Sequence, residues 1–332
     1  MALSTKPTRI DRTEQRYRRR TRNLVGQCRQ MLGLPNHQAL DYRQFVGWLI
    51  GRKAELSRDT WRQYKASVVF FLSQEADKGH PIASEAMELL KDVDVTGCVK
   101  KTKKTSGSKQ KKVPLKEFKA IMKRLEEHPS PWSQDLERWI GASLLTGLRP
   151  AEWANARFGV ADGEQCLIVD NAKATNGRAH GPTRSILLGG LTDDERQMIA
   201  EHVDRAREWE QAQQFDKFYH GIASTMARVV RKIWPKRDGY PTLYSMRHQF
   251  AANAKASGFT REEVAALMGH AVDTTATEHY GRKTAGFDLI RVRPDPAEVA
   301  KVRSVFKGRI APPKPKNALK NQAVLKPKDT DQ

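Results

Sequence analysis

The segment Met268-Gly269-His270-Ala271-Val272-Asp273-Thr274-Thr275-Ala276-Thr277-Glu278-His279-Tyr280 runs from a glycine-histidine pair to a tyrosine, and Arg247 stands 23 residues before His270. These residues bring an oxygen nucleophile, an imidazole and a permanently charged guanidinium into one short stretch of chain. A phenol titrates near about 10, so Tyr280 must shed its proton to attack, helped by a field of cations or by a nearby base.

The whole chain supplies cations in excess. Its 332 residues hold 59 Lys+Arg against 38 Asp+Glu, a net charge of +21 with a pI near 10.0. A polyanion gains most from such a surface, which makes DNA the first partner to consider and an acidic membrane surface a poorer one. No run approaches the 18 or so apolar residues of a membrane span, and no apolar stretch follows the amino-terminal arginines, so the expected location is cytoplasmic and nucleoid-associated, with no membrane partner. Cys28, Cys98 and Cys166 are far apart and in no metal-ligand spacing. They read as small packing residues and argue against both a disulfide framework and a structural zinc site.

The elements that must position the chemistry fall into two domains. Between Lys100 and Lys112 there are seven lysines and no acid, a composition that cannot fold alone and reads as a linker. Within it Lys101, Lys103, Lys104, Lys111 and Lys112 are candidate phosphate contacts, closing around DNA once both domains are bound. Before it, Asp41 to Ile50 and Trp61 to Leu72 carry apolar residues at helical spacing; Ser57 starts the second of these helices, Gly79-His80-Pro81 ends it, and Ser84 opens a third toward Leu90. Trp48, Trp61, Phe70 and Phe71 keep the helical period and are expected in the core. Arginines at 9, 12, 16, 18, 19, 20 and 22 form a basic arm or a basic first helix.

After the linker, Trp132 to Thr146 predicts a helix closed by Gly147. Cys166 to Asp170 and Arg184 to Leu188 predict a hairpin across an Asn-, Gly- and Pro-rich turn. Helices follow at about Asp193 to Gln211, Gly221 to Ile233, Ser245 to Ala256 and Arg261 to Met268, the last with Thr260 and Glu263 in capping-box spacing. Asp295 to Phe306 predicts a short helix, and the Pro- and Lys-rich remainder a disordered tail. The divisions expected are 1–23 basic arm, 24–99 helical domain, 100–112 linker, 113–290 catalytic domain, 291–310 carboxy-terminal helix and 311–332 tail.

Four motifs occur together and in order. They are Leu145-Thr146-Gly147-Leu148-Arg149-Pro150-Ala151-Glu152; Asp170-Asn171-Ala172-Lys173 on the hairpin; Tyr244-Ser245-Met246-Arg247-His248-Gln249-Phe250-Ala251; and Met268-Gly269-His270 with Tyr280. From about Val113 to Ile290 the chain resembles the catalytic domain of the tyrosine recombinase (phage integrase) family, and the helical domain before the linker resembles that family's core-binding domain. The fold this implies is mainly α with a small antiparallel β-sheet in the catalytic domain, the two domains together forming a DNA clamp.

The resemblance implies metal- and ATP-independent cleavage and rejoining of DNA. Arg149 and Arg247 would neutralise charge on the non-bridging oxygens, with Glu152 as the acidic partner of Arg149. Tyr280 would form a 3′-phosphotyrosine, Lys173 would protonate the departing 5′ oxygen, and His270 would hydrogen-bond the phosphate. It also implies four protomers on two duplexes at a specific recombination site, with an accessory DNA-bending or directionality protein as a further partner. The helix near Asp295 to Phe306 would dock into a neighbouring protomer.

Tyr244 departs from the pattern, standing where histidine is usual; a phenol exchanges one hydrogen bond with a phosphate but is a poor base near neutral pH. His248 is adjacent to Arg247 on a helix, points about 100° away and reads as structural. Arg178 and Arg184 read as hairpin phosphate contacts, His279 as incidental and Trp153 as core. The competing readings are a type IB topoisomerase-like enzyme and a catalytically silent DNA-binding or architectural protein. Target sequence and the choice among integration, excision and resolution are not legible, because base readout rests on a few side chains of unknown groove position.

Overall fold

The arginine-rich segment is helical from Asp11: α1 (Asp11–Leu32) runs through the expected boundary at residues 23 and 24. The computed structural model describes residues 11–305 apart from 36, 100–109, 173, 175–178, 276–279, 281 and 289. It divides into two units between Lys104 and Thr105, inside the expected linker.

Among the described residues the first unit holds helices and no strand. Leu24 and Cys28 are buried on one face of α1, and Thr21 donates to the Ser67 carbonyl at 3.0 Å on α3 (Arg58–Asp77). Asp41 caps α2 (Tyr42–Gly51), accepting from the amides of Arg43 and Gln44, and Ser57 caps α3, as short polar side chains do at helix starts. Pro81 opens α4 (Pro81–Asp92), three residues before the start expected at Ser84. A helix start leaves that position's N–H unpaired in any case, so proline costs nothing there. Phe45, Val46, Leu49, Trp61, Val68, Leu72 and Leu90 form the core.

The second unit wraps helices around α6 (Ser133–Thr146), whose Trp139, Ile140 and Leu144 are buried. Around it lie α5 (Leu115–Glu126), α7 (Asp193–Gln211), α8 (Phe215–Ile233) and α9 (Leu243–Ala256), with α10 (Arg261–Leu267) following. A four-stranded antiparallel sheet, in the order β1 (Arg157–Ala161), β2 (Glu164–Asp170), β3 (Thr183–Leu187), β4 (Arg293–Pro294), contains the expected hairpin as β2–β3 and adds a strand on each side of it. Asp162 and Gly163, at φ 50° and 73°, join β1 to β2 in the left-handed conformation that matches strand twist.

The carboxy-terminal helix is shorter than expected. It spans Pro296–Ala300, capped by Asp295, after which the chain turns back: Val302 packs on Ala265 and Ala266 of α10. The amide of Arg303 donates to the Ala271 carbonyl at 3.0 Å. Apolar and backbone partners in the same unit end the helix there. The tail expected at 311–332 lies outside the described residues. Among those described, no helix is long and apolar enough to cross a membrane.

Candidate active site

Gly147 ends α6 with φ 68°, and a Cβ there would come 2.3 Å from the Phe250 ring. Only glycine satisfies both the left-handed turn and the close approach. The turn delivers Arg149 to the start of a short 3-10 helix, Pro150–Asn155. There Glu152 accepts from the Arg149 amide at 2.8 Å and from its guanidinium at 2.6 Å.

Glu152 is 1% exposed and serves two further arginines. Arg184 Nη2 donates to its Oε2 at 2.8 Å, and Arg247 Nη1 lies 3.7 Å from the same oxygen. Burial pushes the Glu152 carboxyl up, but Arg184, Arg247 and Arg149 outweigh it and hold it far below the usual carboxylate range. One carboxylate against three guanidiniums leaves two net positive charges in a water-poor site.

Arg184 is a correction. Expected as a phosphate contact, its side chain is fully buried, donating to Glu152, to the Leu267 carbonyl at 2.9 Å and to Asn171 Oδ1. A guanidinium with every face committed inside the unit cannot meet a DNA backbone. Gly269, at φ 65°, is shaped around it: a Cβ there would stand 2.4 Å from Asn171 Oδ1 and 2.8 Å from Arg184 Nη1.

Arg247, on α9, is 0% exposed. Its Nη1 donates to the Gly147 carbonyl at 2.6 Å and its Nη2 to the Met268 carbonyl, which fixes the fork between two motifs distant in sequence. The same Nη2 is 3.3 Å from His270 Nε2. Burial first, then Arg247, Arg149 and Arg184, drive His270 far below the imidazole range, so it is neutral. With Nε2 accepting from Arg247, its proton sits on Nδ1.

The Tyr280 hydroxyl lies 3.0 Å from the Tyr244 hydroxyl and 3.5 Å from Arg247 Nε. Its ring is flanked by the imidazoles of His248 at 4.7 Å and His270 at 5.2 Å. Burial raises the phenol, but Arg247, the Tyr244 hydroxyl and Arg149 bring it down to about 8 from an ordinary value of about 10. Tyr244 moves up instead, through burial and its proximity to Tyr280. His248 is brought down to about 4 by burial, Lys111, Arg247 and Lys255, and makes a T-shaped contact with Tyr244 at 5.3 Å.

The structure thus brings together Arg149, Tyr244, Arg247, His270 and Tyr280. Lys173, Arg178, His279 and the linker residues Lys101, Lys103 and Lys104 lie outside the described residues. Next to Lys173, the Ala172 amide donates to Glu152 at 3.2 Å. Lys111 and Lys112 are exposed, between Gln110, whose amide donates to the Tyr240 carbonyl at 3.1 Å, and Val113, whose amide donates to Gln249 at 3.0 Å. Sequence reasoning missed Asn171 and also Gln249 and Asn253. The last two hold Ala285 and Phe287, just beyond Tyr280, against α9. Their signal was an amide side chain on an otherwise apolar helix face.

No protein-family model matches the sequence, and no curated protein matches it. Among solved structures, the chain is similar to lambda integrase in a dimer bound to a COC′ core site, at 16% identity over 85% of this chain and 75% of that one, with a TM-score of 0.47. It is similar to the Tn1549 transposon integrase in complex with a circular intermediate DNA at 16% identity, over 81% and 95% of the two chains, with a TM-score of 0.40. For the integrase from mycobacterium phage Brujita the values are 18%, 89%, 93% and 0.33.

Proposed function

We propose that this chain is a tyrosine-type site-specific DNA recombinase. The observation that carries this reading is the Tyr280 hydroxyl held beside Arg247 and brought down to about 8, at a cluster with two net positive charges. Two buried donor atoms there, Arg149 Nε and His270 Nδ1, have no hydrogen-bond partner among the described residues. Buried polar groups are paired as a rule, so such orphans suit an anionic ligand that completes them.

In the proposed reaction Tyr280 Oη attacks a DNA phosphorus, forming a 3′-phosphotyrosyl bond as the bond to the 5′ oxygen breaks. Arg149 and Arg247 neutralise the non-bridging oxygens and His270 donates through Nδ1. Lys173, assigned by the motif resemblance, gives its proton to the leaving oxygen. The phosphotyrosyl link conserves the bond energy, so a 5′ hydroxyl of a second duplex rejoins the strands without metal, nucleotide or other cofactor. The proposed partners are duplex DNA carrying a recombination site and three further copies of the chain, at a cytoplasmic, nucleoid-associated location.

The test is incubation without metal or nucleotide with labelled duplex carrying the flanks of the chain's own gene, nicked to trap intermediates. A covalent adduct lost in Tyr280→Phe is expected. Binding without an adduct on any nicked substrate would replace this reading with a silent DNA binder, and relaxation of plasmid without strand exchange would replace it with a topoisomerase-like enzyme.

A further inference from the structure

His180 lies where the loop between β2 and β3 returns to the sheet, and its side chain is fully buried although it carries two polar nitrogens. Nδ1 is 3.2 Å from the carbonyl oxygen of His270, and Nε2 is 2.9 Å from Glu298 Oε2 on the Pro296–Ala300 helix, an ion pair when the ring carries both protons. Glu298, 6% exposed, otherwise meets Lys301 at 3.0 Å. The imidazole thus joins three stretches of chain: the loop that carries Lys173, the backbone of His270 and the carboxy-terminal segment.

The same segment grips the His270 loop from its other side. Arg303 exchanges backbone hydrogen bonds with Ala271 and Asp273, at 3.0 and 3.2 Å. Asp273 in turn accepts from the Val305 amide at 3.0 Å and from Ser304 at 3.2 Å. An apolar side chain at position 180 would take the His180 partner from the buried His270 carbonyl and leave Glu298 with Lys301 alone, so the position is specified by polarity and not by volume.

We propose that His180 is a positioning residue: by bridging the His270 carbonyl to Glu298 it makes the geometry of His270 and of the returning β2–β3 loop depend on docking of the carboxy-terminal segment in cis. The lock itself stands on contacts alone; its effect on reaction rate rests on the recombinase reading above. Anything that draws residues 298–305 away from α10 would release His270 from one side while leaving Arg149, Arg247 and Glu152 in place.

The test compares the full chain with His180→Ala, Glu298→Gln and the double variant by amide hydrogen exchange and by adduct formation on the nicked gene-flank duplex. Exchange at the Asn171 and Asp273 amides, which face Pro182 and Arg303, is expected to be about tenfold faster in each single variant. The double variant should be no faster than His180→Ala, because Glu298→Gln removes the charge from a contact that His180→Ala already abolishes. DNA affinity should hold while the adduct rate falls by about tenfold, a split that general destabilisation does not produce. Glu298→Gln keeps the volume and carries the test should His180→Ala fail to fold. Unchanged exchange in Glu298→Gln, or losses that add in the double variant, would overturn the proposal. Faster exchange in a protein whose wild type forms no adduct would uphold the lock and remove the recombinase reading.

Discussion

Arg184 Nη2 and Glu152 Oε2 meet at 2.8 Å with both side chains fully buried, and this pair, not a DNA phosphate, is what the hairpin arginine serves. It anchors β3 to the 3-10 turn that carries Arg149, so the sheet and the α6 terminus hold one site between them. Glu152→Gln keeps the shape but leaves three guanidiniums without their counter-charge. Breaking such a buried network costs about 3–5 kcal/mol, and urea unfolding of the full chain should show a loss of that size.

On the recombinase reading, the pH dependence of adduct formation follows from the phenol. With Tyr280 at about 8, the phenolate fraction, and with it the single-turnover rate, should climb tenfold per pH unit below about 8 and level off above it. Tyr244→Phe removes a hydrogen bond that lowers Tyr280, so the profile should move to higher pH and the rate at neutral pH should drop. A profile unmoved by Tyr244→Phe would separate the two hydroxyls functionally.

Gly269→Ala should damage the site without touching a reacting group. The added Cβ would stand 2.4 Å from Asn171 Oδ1 in a backbone held at φ 65°, and strain of this kind costs about 1–3 kcal/mol. A lowered Tm together with a larger loss of adduct rate than of DNA affinity is the expected result.

His202 sets an acid limit on stability. It is fully buried, 4.5 Å from the Trp153 ring and 5.2 Å from Trp139, and neither ring nitrogen has a hydrogen-bond partner among the described residues. Burial, then Arg138, lowers it to about 3 from about 6.5. The unfolded chain therefore takes up a proton that the folded one refuses, and stability is lost as pH falls from about 6.5 toward 3, at up to about 1.4 kcal/mol per unit. His202→Phe should flatten that fall in denaturant titrations between pH 7 and 4.

What was legible in the sequence was local. Phe45, Val46 and Leu49, or Ile140 and Leu144, announce their helices by spacing alone, and the Gly147, Arg149 and Gly269-His270 groupings fall within single turns. In α1 the arginines dilute the apolar period, so its helix stayed one of two options, and the Asp162-Gly163 turn that marks β1 was overlooked. Arg184 illustrates a deeper limit. A buried arginine and a surface one read alike until their partners are known, and the partner Glu152 is 32 residues away. The turn back of residues 301–305 likewise depends on α10 and Asp273, which no local pattern links to them.

The fork of Arg247 spans a sequence separation of 100 residues to reach Gly147, and the last backbone partners of the His270 loop are Arg303 and Val305. The ribosome makes α5 to α9, the last ending at Ala256, before Tyr280 and the residues that brace the His270 loop. A polypeptide that stops before residues 303–305 therefore carries the same cluster of arginines without the backbone bonds that brace the His270 loop.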